Sequence, residues 1–131
     1  MEAVKSYKMY IDGNWVDSDT GETIDVVNPA TCKTIATIPK AGTAEAVRAV
    51  DAAFRTFPSW AKKTAEERGK LLMKWYYLID EQKEEIGRIM TMEQGKPLQE
   101  AIGEVNYANS FISWYAEEGK RVYGETIPAS F

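Results

Sequence analysis

The chain contains no histidine and a single cysteine, Cys32. Without an imidazole, these residues cannot build Ser-His or Cys-His relays, the usual zinc sites or Glu-x-x-His di-iron pairs. Chemistry done by this chain alone would rest on carboxylates, lysines or Cys32. A cysteine becomes a nucleophile when a helix N-terminus or a nearby cation favours its thiolate. Cys32 stands instead in Pro29-Ala30-Thr31-Cys32-Lys33-Thr34, between two β-branched runs, where a turn residue is expected.

The remaining candidates are weak by type and spacing. Gly119 to Gly124, GKRVYG, lacks the Gly-Lys-Ser/Thr ending of a phosphate loop and falls where a helix should terminate. No G-x-G-x-x-G occurs, so no dinucleotide fingerprint is visible and no cofactor-binding residue is assigned. The acidic runs Asp80 to Glu85 and Glu117-Glu118 read as solvated faces, because their spacing alone does not make acid–base pairs. Arg68 and Lys96 read as single surface or structural contacts. Glu93 is different. It precedes a predicted helix stop at Gly95, where a carboxylate opposes the helix dipole and calls for compensation. A solvated glutamate at the helix end is the plain alternative.

These residues need elements to position them. At 131 residues, 44% apolar and 27% charged, the chain has room for one globular domain. Twenty acidic against sixteen basic side chains give a net charge of −4, which disfavours nucleic acid and anionic membranes. The opening MEAVKSYKMY has no apolar signal region, and the most apolar window, Leu71 to Ile79, is too short to span a bilayer. With one cysteine available for no intrachain disulfide, a cytoplasmic location is expected.

The expected fold class is α+β: β-hairpins over residues 1–42, then three to four helices over 43–131. Met9–Ile11 and Trp15-Val16 flank the turn cluster Asp12-Gly13-Asn14, predicting one hairpin. Thr23–Val27 and Lys33–Ile38 flank Asn28-Pro29-Ala30-Thr31, predicting a second. Thr43 is a capping residue for a helix with Val47, Val50 and Phe54 on one face, ended by Pro58. Thr64 to Glu67 fits a capping box ahead of a stripe of Leu71, Leu72, Trp75, Leu78 and Ile79. Asp80 is expected to recap the chain before Ile86, Ile89 and Met90, with Gly95 as the stop. Pro97 suits the first turn of a last helix carrying Ile102, Val105, Phe111, Ile112 and Tyr115, ended by Gly124. Helices this aromatic cannot bury every face in one layer, so the isolated chain is expected to form a homo-oligomer or to rearrange.

The segment Glu93 to Pro128, EQGKPLQEAIGEVNYANSFISWYAEEGKRVYGETIP, resembles the N-terminal part of the aldehyde dehydrogenase superfamily, most nearly its succinate-semialdehyde dehydrogenase branch. Gly95-Lys96-Pro97-Leu98, Gly103-Glu104-Val105 and Trp114-Tyr115-Ala116-Glu117-Glu118 carry the likeness. Tyr10–Val16, Asn28–Thr31 and Glu67–Leu72 extend it over nearly the whole chain. The resemblance implies a parent several times longer, with an α/β Rossmann-like cofactor domain on which this region packs. In that family a cysteine thiolate attacks an aldehyde, hydride passes to NAD or NADP, and a glutamate activates the water that hydrolyses the thioester. The resemblance places the nucleophile, base, oxyanion asparagine and cofactor glycines after Phe131, leaving no catalytic residue and no bound cofactor in this segment alone. It also implies a monovalent-cation contact at Glu93 with backbone carbonyls near Val27 and Val26, since hard cations take oxygen ligands. Gly103 and Tyr107 would border the aldehyde tunnel; packing of the aromatic over the glycine is the alternative. A free-standing helical interaction module derived from such an N-terminus remains the second reading.

Overall fold

The computed structural model describes residues 4–130. Its first hairpin, β2 (Met9–Ile11) with β3 (Asn14–Val16), follows β1 (Lys5–Ser6) and pairs Tyr10 directly with Trp15. Asp12 and Gly13 take φ of 52° and 78°. Two left-handed residues give the turn whose twist matches that of the flanking strands, as the Asp-Gly pair predicts. The Tyr10 and Trp15 rings lie 5.1 Å apart across the strands, a stabilising cross-strand contact.

The second hairpin joins β4 (Thr23–Asn28) to β5 (Lys33–Pro39), with a register shift at Val26/Val27. Asn28 organises its turn: its side chain accepts from Ala30 N at 2.9 Å and its carbonyl from Cys32 N at 2.8 Å. Cys32 consequently sits at φ 55°, exposed. A non-glycine residue there is strained by about 1–2 kcal/mol. Because glycine loses some of that gain to backbone entropy, Cys32→Gly should stabilise the chain by roughly 0.5–1 kcal/mol in urea unfolding. The two-residue β1 adds a parallel edge to β5, giving a sheet ordered β1-β5-β4. Nothing in the sequence pattern marked it, because two residues carry no periodicity.

Three helices follow, with four departures from the pattern read in the sequence. Helix α1 spans Thr43–Ala61, and Gly42 rather than Thr43 is its N-cap. The Gly42 amide donates to Glu45 Oε2 at 2.9 Å, so a carboxylate three residues on does the capping. Pro58 does not end α1 but lies inside its last turn. Proline's φ is helical, and the cost of its missing N–H falls on one carbonyl near the end.

Helix α2 is one continuous run, Ala65–Gln94, about 45 Å long at ~1.5 Å per residue. Asp80 does not recap the chain; its carboxylate pairs with Lys83 Nζ at 2.9 Å along the helix surface. Thr64 caps α2 as expected, accepting from Glu67 N at 3.2 Å while Glu67 Oε2 accepts from Thr64 N at 2.7 Å. Hydrogen bonds from the Thr64 amide, then its hydroxyl, hold the Glu67 carboxyl below its usual range. Gly95 closes α2 at φ 78°, donating to Thr91 O at 2.9 Å.

Helix α3 spans Leu98–Glu118, with Pro97 at its N-cap. Gly124 does not end it: Gly119–Arg121 forms a short 3-10 turn directly after Glu118. Gly124, at φ 70°, lies in the extended tail.

The core is an antiparallel α2–α3 seam lined by small residues. A Cβ on Gly69 would stand 3.0 Å from the Ala116 carbonyl, and one on Gly87 2.7 Å from Ile102 Cγ1. On α3 the buried side chains are Ala101, Val105, Asn109 and Ala116. Asn109 Nδ2 donates to Tyr76 O at 3.0 Å across the seam. Small residues at the contact let the helix backbones approach, with Ile102 and Val105 beside them, while many of the larger apolar groups of both helices stay exposed. Leu71, Trp75, Leu78, Tyr107, Phe111, Trp114 and Tyr115 are exposed. Val47, Val50 and Phe54 share a face of α1, and that face is exposed too.

Candidate functional site

The sequence-derived candidates fall on two neighbouring parts of the fold. Gly95 brings the C-terminus of α2 against the turn after β4, because its missing Cβ leaves room for Pro29 Cγ at 3.1 Å. Any side chain there would meet that ring and also adopt a left-handed φ. Glu93 and Val27 therefore lie on elements in contact, Glu93 exposed two residues before the cap and Val27 44% exposed beside the bulge of β4. Among the described residues no group of three or more His, Cys, Asp or Glu gathers as a metal site. A cation at Glu93 would draw its other ligands from backbone carbonyls, whose orphaned helix-end members α2 supplies at this terminus.

Gly103 and Tyr107 lie one turn apart on the outer face of α3. No heavy atom approaches within 4 Å of a Cβ position on Gly103, so the Tyr107 ring does not cover it. Tyr107 is 66% exposed and stands edge-on to Phe111, with centroids 5.0 Å apart at 88°. With Trp114 they form an aromatic stripe beside an open notch at Gly103. Lys96, near the start of the same helix, pairs with Glu104, which gives that lysine a structural partner. Arg68 likewise donates to Lys63 O at 2.6 Å.

Cys32 lies in the turn between β4 and β5. It is exposed, and its amide donates to Asn28 O at 2.8 Å. The β5-to-α1 connection is the one strand-to-helix turn among the described residues, the place where a dinucleotide's pyrophosphate would sit. Its Gly42 amide is already taken by Glu45.

Sequence reasoning missed the Glu45 network and the glycine seam. The only available signal for Glu45 was its position three residues after Gly42.

Comparison with known proteins places this geometry. The aldehyde dehydrogenase family pattern matches residues 15–130. The chain belongs to the aldehyde dehydrogenase family. It is 55% identical over 119 residues to the glutarate-semialdehyde dehydrogenase of Pseudomonas putida, covering 91% of this chain and 25% of that one. It is 52% identical over 118 residues to the NADP(+) succinate-semialdehyde dehydrogenase of Escherichia coli, covering 90% and 24%. The crystal structure of succinate-semialdehyde dehydrogenase from Burkholderia pseudomallei superposes with a TM-score of 0.91 at 46% identity, covering 95% of this chain and 26% of that one. The chain thus spans about a quarter of the length of the aldehyde dehydrogenases it matches. No helix among the described residues is long and apolar enough to cross a membrane.

Proposed function

We propose that this chain is the N-terminal region of an NAD(P)-dependent aldehyde dehydrogenase that oxidises a short aldehyde ending in a carboxylate, with succinate semialdehyde the first candidate. The observation that carries the reading is 52–55% identity, over nine-tenths of the chain, to enzymes named for two such substrates. Succinate and glutarate semialdehydes share an aldehyde at one end and a carboxylate at the other. In this reading the parent works in the cytoplasm as a homo-oligomer, with neither nucleic acid nor membrane as partner.

The segment's part is positional. The outer face of α3 borders the aldehyde tunnel at Gly103 and Tyr107, and the meeting of α2 with the Pro29 turn offers Glu93 and the Val27 carbonyl to a monovalent cation. Nucleophile, general base, oxyanion donor and cofactor contacts belong to other parts of the parent. The segment alone is therefore inactive and binds neither NAD nor NADP.

The second reading, a non-catalytic interaction module, draws on the exposed apolar faces of α1 and α3. The test is absorbance at 340 nm on mixing the purified chain with succinate or glutarate semialdehyde and either cofactor. No reduction above buffer is expected; turnover would contradict the assignment of all chemistry to other sequence.

A further inference from the structure

The loop between β3 and β4 and the first turn of α1 are joined through the carboxylate of Glu45. Glu45 is only 4% exposed, although it is charged and on the first turn of a surface helix. Its Oε1 accepts from Asp19 N at 2.7 Å and its Oε2 from Gly42 N at 2.9 Å. Both oxygens are thus engaged, one by the loop and one by the helix start. Asp19 returns the connection: its carboxylate takes both Arg48 guanidinium nitrogens, Nη1 and Nη2, at 2.7 Å.

The gripped loop is itself ordered. Buried Ser18 donates its hydroxyl to Glu22 O at 2.8 Å, and Gly21 N donates to Ser18 O at 3.0 Å. The loop's other charged pairs, Asp17 with Lys8 and Glu22 with Lys40, are exposed. Apolar packing beneath α1 is slight by comparison. Only Glu45 and Ala52 of α1 are buried. Between the helix and the first hairpin lies an open groove of about 310 Å³, lined by Tyr10, Ile11, Ala49, Ala52, Ala53 and Thr56. A helix attached by few apolar contacts draws its local stability from its polar ones.

We propose that Glu45 is a latch that holds α1 to the β3–β4 loop and lets it go on protonation. The groups facing it are Asp19 from the loop and Arg48 from its own helix. Hydrogen bonds from the Asp19, Glu45 and Gly42 amides hold the Glu45 carboxyl below its ordinary range. The Arg48 side-chain hydrogen bond does the same for Asp19. For carboxyls lowered by folding, the contribution is complete above the ordinary value and disappears as pH falls through the lowered one. Release of α1 thus belongs to the acid side of the ordinary carboxylate range.

Site-resolved amide hydrogen exchange on the full chain tests the latch. In Glu45→Ala, protection of the Asp19 and Gly42 amides should fall about 10-fold or more, while the α2–α3 amides keep theirs. In Glu45→Gln, whose side chain has one acceptor oxygen, only one of the two amides should lose protection. Acidifying the wild-type chain should reproduce the glutamine pattern after correction for intrinsic exchange, because a protonated carboxyl also keeps one acceptor oxygen and so no longer bridges loop and helix. Unchanged protection of both amides in Glu45→Ala would overturn the proposal. So would parallel loss across α2 and α3, in the variant or on acidification, since that is global unfolding.

Discussion

Replacing Gly87 by leucine should force α2 away from α3 and cost about 3 kcal/mol, read as a lower urea midpoint with the slope unchanged. Space at the seam decides the outcome. Even a bare Cβ at Gly87 would lie 2.7 Å from Ile102 Cγ1, 3.2 Å from Ile102 N and 3.4 Å from Ile102 Cα. The isoleucine tip can turn away, but the backbone atoms behind it belong to α3 and can move only with the helix. Leucine would bring about 1 kcal/mol of helix propensity, which the overlap outweighs. Gly103→Leu on the open face makes the control, since no heavy atom lies within 4 Å of its Cβ position. There the propensity gain stands alone, so the midpoint should hold or rise. Equal losses at both glycines would show that the seam is misplaced.

The second large effect concerns assembly. Tyr107, Phe111 and Trp114 form an exposed stripe on α3, while Trp75 and Leu78 are exposed on α2. This many large exposed apolar side chains seldom stay uncovered in water. The isolated chain should therefore scatter light as an oligomer at micromolar concentration. Tyr107→Lys combined with Trp114→Lys should return it to the monomer mass, because two charges in a desolvated contact cost more than the area they replace gains. Both positions are exposed and neither lies in the α2–α3 seam, so the fold should survive, as circular dichroism would show. A monodisperse wild-type monomer would contradict the expectation.

What was legible in the sequence was local. Asp12-Gly13 specifies a turn through its own backbone freedom, and Thr64 with Glu67 completes a hydrogen-bonded ring within four residues. Gly95 likewise marks the end of α2 by its φ of 78°. The failures concern competition between a local signal and its surroundings. Pro58 carries a stop signal, yet proline is tolerated where only one carbonyl is left unpaired. Asp80 could cap a helix, but pairing with Lys83 lets the thirty residues of α2 run on unbroken.

The seam was hidden for a different reason. Hydrophobic periodicity points to Leu71, Leu72, Trp75, Leu78 and Ile79. Of these Leu72 and Ile79 are half-buried, whereas Leu71, Trp75 and Leu78 are exposed. The close contacts with α3 are made by Gly69, Tyr76 and Gly87. A pattern of large apolar residues locates a face that needs covering, without saying which partner covers it. Here small residues make the closest helix contacts, and the aromatic residues Trp75, Tyr107, Phe111 and Trp114 stay exposed.

The candidate site was legible in the same partial way. Resemblance brought out Glu93, Val27, Gly103 and Tyr107, and the fold puts the first pair on touching elements and the second on one open helix face. Glu45 escaped notice because its two amide partners come from the helix start and from a loop 26 residues earlier.

The central claim is that these 131 residues are one part of an aldehyde dehydrogenase rather than a free-standing module. The most direct measurement is the intact mass of the protein that carries this sequence in its source cell. A polypeptide about four times the 14.8 kDa of this chain is predicted, in keeping with the quarter of each relative that it spans. A stable species of 14.8 kDa, with no longer form, would contradict it.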